Sequence, residues 1–139
     1  MADILTLSAP ELAALLCSRV CHDIISPVGA INNGLELLDE GGADEDAMRL
    51  IRTSARNASA RLQFARIAFG AAGSAGMQID TGDAESVAIA FLANEKPEFE
   101  WQGARALLPK NKVKLLLNLI LVANAAIPRG GKLTVQLHD

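Results

Sequence analysis

The chain has 139 residues, half of them hydrophobic and only 4% aromatic, with a net charge of −3. That length buries one core or two small ones, and an acidic chain with so few stacking side chains speaks against nucleic acid as a direct partner. No apolar run reaches the roughly 18 uninterrupted residues of a membrane span, the longest being broken by Asn118 and Asn124. The N-terminus also lacks the basic-then-apolar order of a signal peptide, so a cytoplasmic location with no membrane partner is expected.

Ser8 and Glu11 form a capping box with Pro10 in the first turn, which predicts a helix running to about Glu40, where Gly41-Gly42 stops it. Pro27 should kink this helix. Cys17 and Cys21 stand one turn apart and, with no further cysteine to complete a metal site, are expected to be small buried hydrophobes. Asp44 is positioned to cap a second helix to about Phe69, with Ile51, Ala55, Ala58, Leu62, Ala65 and Phe69 as one apolar stripe. The run Gly70-Ala71-Ala72-Gly73-Ser74-Ala75-Gly76 interrupts every periodic pattern and reads as a linker. The expected organisation is thus a helical hairpin over residues 1–70, a linker over 71–76 and a second domain over 77–139. A lone hairpin cannot cover both of its apolar flanks, so two copies should pair through a two-fold axis into a homodimeric four-helix bundle.

Inside the first helix lies Cys21-His22-Asp23-Ile24-Ile25-Ser26-Pro27, which holds the only histidine before residue 138. A histidine beside an aspartate on a helix is most often a solvated pair. Here the neighbours argue for more. Stepping about 100 degrees per residue, Ser18, Ser26, Gly29 and Asn33 fall within about 40 degrees of His22, and Ala13, Val20, Ile24, Ile31 and Leu38 fall opposite. His22 therefore faces outward among small or polar residues that leave room for a partner, with Leu15 the exception. Asp23 is placed to orient one ring nitrogen while the other acts as nucleophile.

Charge is uneven along the chain. The first 46 residues carry nine acids against Arg19 alone, whereas the second helix carries Arg49, Arg52, Arg56, Arg61 and Arg66 with no acid from Ala47 to Ile79. Solvated arginines are the default explanation, and an acidic protein partner is the functional one.

From Met77 onward the pattern is α/β. It consists of a strand at Met77–Asp80, a helix from about Gly82 to Asn94, a strand at Glu98–Gln102, a helix from Pro109 to Ala126 and a strand at Leu133–Leu137. Gly130-Gly131-Lys132 lacks the spacing of a phosphate loop and reads as the turn before the last strand.

His22, Asp23, Ser26 and Pro27 match the phosphoacceptor motif of histidine kinases, although Ile25 stands where kinases commonly carry a basic or amide residue. The longer run from Leu16 to Leu38 resembles the ChpT-type histidine phosphotransferases of alphaproteobacteria. The segment from Leu115 to Val135 resembles the asparagine-box helix and following strand of kinase ATPase domains. In that box a second asparagine holds magnesium; aligned on Asn118, its place is taken by Val122, which cannot ligate a hard cation.

The resemblance implies an α + α/β fold, with a dimeric helical hairpin (an antiparallel pair forming a four-helix bundle) followed by a small, degenerate, incomplete ATPase-like domain of the Bergerat type. It implies a phosphorelay protein. His22 would take a phosphoryl group from the receiver domain of a hybrid histidine kinase and pass it to response regulators, which in this family govern the cell cycle. Asp23 would orient the imidazole, and Ser18, Arg19, Ser26, Gly29 and Asn33 would dock the receiver, with Ser26 also where bifunctional kinases keep a water-orienting residue. No metal or cofactor would belong to this chain: no ATP would bind, and Mg2+ would arrive with the receiver. Two other readings compete, a non-catalytic inhibitor module that mimics a kinase bundle and an ATP-dependent kinase, the latter opposed by Val122.

Overall fold

The computed structural model describes residues 6–41, 44–70 and 77–138. In chain order the elements are α1 (Ala9–Asp39), α2 (Asp44–Ala68), β1 (Gln78–Asp80), α3 (Thr81–Leu92), β2 (Glu98–Gln102), β3 (Leu107–Pro109), α4 (Lys110–Ala126) and β4 (Lys132–Gln136). The chain is mostly helical, and it divides into two compact units, residues 1–58 and 59–139.

In the first unit, α1 starts at the expected capping box. The Ser8 backbone N–H and hydroxyl both donate to Glu11 Oε2, at 2.8 and 2.7 Å, and Ser8 Oγ accepts from the Glu11 N–H at 3.3 Å. The helix continues through Pro27 and ends where Gly41 adopts φ 72 degrees. Its buried residues are Pro27 and Gly34. Gly34 is small for a reason: a Cβ there would lie 2.6 Å from Ile51 Cγ1 and 3.2 Å from the Ala47 carbonyl oxygen on α2.

The apolar seam is thus rotated from the one expected. Val20, Ile24, Ile31 and Leu38 are only half-buried and Ala13 is exposed. Val28 and Leu35, on the other flank, are 42% and 47% exposed. The helix carries two seams, of which α2 covers one. The same doubling makes α1 long and apolar enough by composition to cross a membrane, with mean hydropathy 1.3 over 18 residues. The expectation that no apolar run reaches the length of a span is thus corrected for α1, by length and composition alone. Arg19 and Asp23 sit near the middle of α1, where each charge would cost roughly 3 kcal/mol in a bilayer.

On α2 the buried residues are Ala47, Ser54, Phe64 and Ala68, while Ala55 and Leu62 of the expected stripe are exposed. Ser54 escapes a hydrophobicity count because it is polar, yet it is small enough to be covered. Both cysteines are free and exposed, contrary to the expectation that they are buried.

The second unit begins within α2, before the boundary expected at the glycine-rich run, because the last turns of that helix join its core. Phe64 and Ala68 pack with Ala84, Ala88, Phe91 and Leu92 of α3, Val113, Leu117 and Ile120 of α4, and Leu133 and Val135 of β4. The Phe64 and Phe91 rings lie 4.5 Å apart. The expected linker, residues 71–76, lies outside the described residues. There are two two-stranded sheets: β1 pairs antiparallel with β3, Ile79 opposite Leu108, and β2 pairs parallel with β4, Trp101 opposite Val135. The strand β3 was not expected. Pro109 closes it and acts as the N-cap of α4, where the sequence pattern suggested the first helical residue.

Asp80 joins the elements at the start of α3. Its Oδ1 accepts from the Gly82 N–H at 2.8 Å, and both of its oxygens accept from Arg105 Nε at 2.8 Å. The Gly82 N–H, and then Arg105, hold the carboxyl below its ordinary pKa. A depressed carboxyl stabilises the fold above the unfolded-state pKa, and that contribution is lost as pH falls through the folded value. Thermal unfolding followed below about pH 4 should therefore show a falling midpoint, and Asp80→Asn should flatten that fall.

The close approach at Gly34 makes a second expectation. Gly34→Leu should incur an overpacking cost of about 3 kcal/mol, which outweighs the roughly 1 kcal/mol gained from leaving glycine. Gly29 is a matched control, since a Cβ there meets nothing within 4 Å. Denaturant unfolding of the two leucine variants should separate them by that amount; equal midpoints would mean that α1 and α2 do not pack through Gly34.

Candidate functional site

The 3.6-residue period of α1 places His22 on the ridge away from Pro27 and Gly34. Its side chain is 88% exposed. Asp23 is turned inward by one residue and is 20% exposed, so the carboxylate lies beneath the imidazole. His22 Nδ1 is 3.5 Å from Asp23 Oδ1, and Asp23 Oδ2 accepts from Arg19 Nε at 2.9 Å. The first distance is long for a hydrogen bond and counts as an electrostatic contact. Arg19 fixes the carboxylate from the preceding turn, the carboxylate faces Nδ1, and Nε2 is left pointing to solvent.

Ser18, Ser26 and Asn33 are exposed on the same ridge, with Gly29 between them and open space where its Cβ would be. The structure therefore brings together the residues that the helical period grouped. Arg19 differs from that grouping, since its guanidinium is engaged with Asp23. Ile25 was passed over: it is 70% exposed beside the ridge, the most exposed large hydrophobic among the described residues. The signal was present in the sequence as the apolar departure from the kinase motif.

His22 lines neither of two grooves found among the described residues. One, of about 570 Å3, runs along Met48, Arg49, Arg52, Thr53 and Arg56 of α2, with Asp44 and Glu45 at its end. The other, of about 560 Å3, lies in the second unit over Ile67, Met77, Ile79 and Val87. Small substrates are enclosed by concave sites. A histidine on a convex ridge can instead react with a group that another macromolecule carries to it.

In the second unit, Asn118 has been put to structural use. Its Nδ2 donates to the Ala68 carbonyl at 3.0 Å and to the Lys114 carbonyl at 2.8 Å, tying α4 to the end of α2. Lys114 Nζ donates to the Gly70 carbonyl at 2.7 Å beside it. Four positions on, Val122 is 66% exposed and offers no oxygen. Among the described residues no cluster of three or more histidine, cysteine or acidic side chains is placed to hold a metal.

Residues 81–139 match the family described as histidine phosphotransferase C-terminal domain. The protein phosphotransferase ChpT of Brucella abortus (strain 2308) is 79% identical over 133 residues, 96% of this chain. A solved structure of a bacterial phosphotransferase superposes with a TM-score of 0.87 at 75% identity, covering 97% of this chain. The chain spans 64% of the length of each of these two relatives. By sequence and by fold it is similar, over that length, to the ChpT-type phosphotransferases.

Proposed function

We propose that the chain relays a phosphoryl group between the aspartates of two receiver domains through His22. The observation that carries this reading is an imidazole 88% exposed on a convex ridge, with an arginine-anchored carboxylate facing its Nδ1. Nε2 attacks the phosphorus of an aspartyl phosphate, the P–O bond to the carboxylate breaks, and the donor aspartate leaves as carboxylate. The proton stays on Nδ1 beside Asp23, whose charge stabilises the imidazolium that forms. In the second half of the relay the carboxylate of another receiver attacks, the N–P bond breaks, and the electron pair returns to Nε2.

Phosphoryl transfer depends mainly on in-line positioning and neutralisation of charge, so little else is asked of this chain. The receiver carries the aspartate and, in this reading, the Mg2+; no cofactor or metal of the chain takes part. Ser18, Ser26, Gly29 and Asn33 form the docking ridge, Arg19 positions Asp23, and Ile25 adds an apolar contact. The second unit is read as a degenerate ATPase-like domain without ATP, because Val122 cannot ligate magnesium and the Asn118 amide is spent on the α2 carbonyl. A second copy covers the exposed seam of α1 to make a four-helix bundle. Such a protein would work in the cytoplasm.

Incubation with a phosphorylated receiver should place acid-labile label on the wild type and none on His22→Ala. Label retained by the variant would sink the assignment, and absence of label on the wild type would favour the non-catalytic module. A second variant tests the ridge. Gly29→Leu should remain folded, yet should slow exchange by at least about tenfold, since misplacing reacting atoms by ~1 Å can cost about a hundredfold. An unchanged rate would mean that the receiver docks elsewhere.

A further inference from the structure

Cys17 and Cys21 play no part in phosphoryl transfer, and both are exposed on α1. They stand one turn apart, about 40 degrees from each other around the helix. The C-x3-C spacing falls within that of thiolate metal sites. A single chain leaves such a site half-built, since two thiolates fill half of a tetrahedral shell and no third ligand joins them among the described residues.

The seam to which they belong supplies the other half. Cys17, Cys21, Ile24, Val28, Ile31 and Leu35 alternate spacings of four and three residues, the a/d pattern by which one helix seats another. This row lies beside the buried Pro27 and Gly34, and it contains the exposed Val28 and Leu35 with Ile24 and Ile31 half-buried. A two-fold axis running along a bundle sets each residue level with its own copy. The thiols of one protomer then stand at the height of the partner's thiols, in a row with no carboxylate or amide.

We propose that two copies of α1 form an intersubunit zinc site, four-coordinate, with Cys17 and Cys21 supplied by each protomer. It rests on the dimer reading given above. Zinc accepts four thiolates at about 2.3 Å, and each thiol releases its proton to solvent as its Zn–S bond forms. His22 projects about 100 degrees from Cys21 and stays outside the coordination shell. Zinc would then strengthen the dimer that displays two phosphoacceptors without consuming either.

Titrating metal-free protein with Co2+ should produce cobalt–thiolate charge-transfer absorption that levels at one cobalt per two chains and is bleached by Zn2+. Cys17→Ser and Cys21→Ser should each abolish it while circular dichroism keeps its helical form. In sedimentation, zinc should lower the dimer dissociation constant of the wild type at least about tenfold, and that of either variant by no more than twofold or so. A dimer that gives no thiolate absorption, or saturates at one metal per chain, would overturn the zinc site and leave the dimer standing. A protein that is monomeric with and without zinc would remove both.

Discussion

The rest of this structure depends on how the circumference of one helix is shared. At 3.6 residues per turn, the 31 residues of α1 divide into three strips. One holds the buried Pro27 and Gly34 and meets α2 at Gly34. A second holds Cys17, Cys21, Ile24, Val28, Ile31 and Leu35, and a third holds Ser18, His22, Ser26, Gly29 and Asn33. The outward aim of the histidine follows from the first strip, because packing at Gly34 fixes the rotation of the helix. Sliding Gly34 off Ile51 would turn His22 with it, so a residue twelve positions away controls the direction of the imidazole.

Features that one helix or one short motif expresses were legible in the sequence. Ser8 and Glu11 announced the start of α1, and the 100-degree step grouped the ridge around His22. What required a second element was not legible. The apolar residues opposite the histidine are only half-buried, the covered positions of α1 are Pro27 and Gly34, and the cysteines, expected to be covered, lie outside. Leu62 counted as core by its chemistry, while Ser54 is covered because it sits where the helices approach. The strand β3 is three residues ending in proline, and its partner β1 lies about 30 residues earlier, a separation that no local periodicity reports.

The second unit illustrates how a side chain's hydrogen-bonding capacity limits its roles. The two donors of the Asn118 amide group sit on one nitrogen, and that nitrogen already serves the Ala68 and Lys114 carbonyls. The Ala68 carbonyl belongs to the last turn of α2, where intrahelical partners run out. Leaving such a group unpaired when it is partly buried costs on the order of 1–3 kcal/mol. With that amide engaged at the helix junction and Val122 one turn beyond, the helix that resembles an asparagine box has become a packing element. Lys114 reinforces the same junction through the Gly70 carbonyl.

In the proposed relay, a histidine serving several proteins would have to be accessible yet held still, two demands that usually conflict, because burial is what orders a side chain. Here the ordering is moved inward by one residue. Asp23 is largely covered, Arg19 anchors one of its oxygens, and the other oxygen faces Nδ1. The imidazole thereby gains a preferred orientation from beneath without surrendering any of its outer face. Under that proposal a groove at His22 would be a disadvantage: walls that fit one partner's surface would exclude the next. Small residues on the ridge would leave shape selection to the partner, and Ile25, 70% exposed, would provide apolar contact without building a wall.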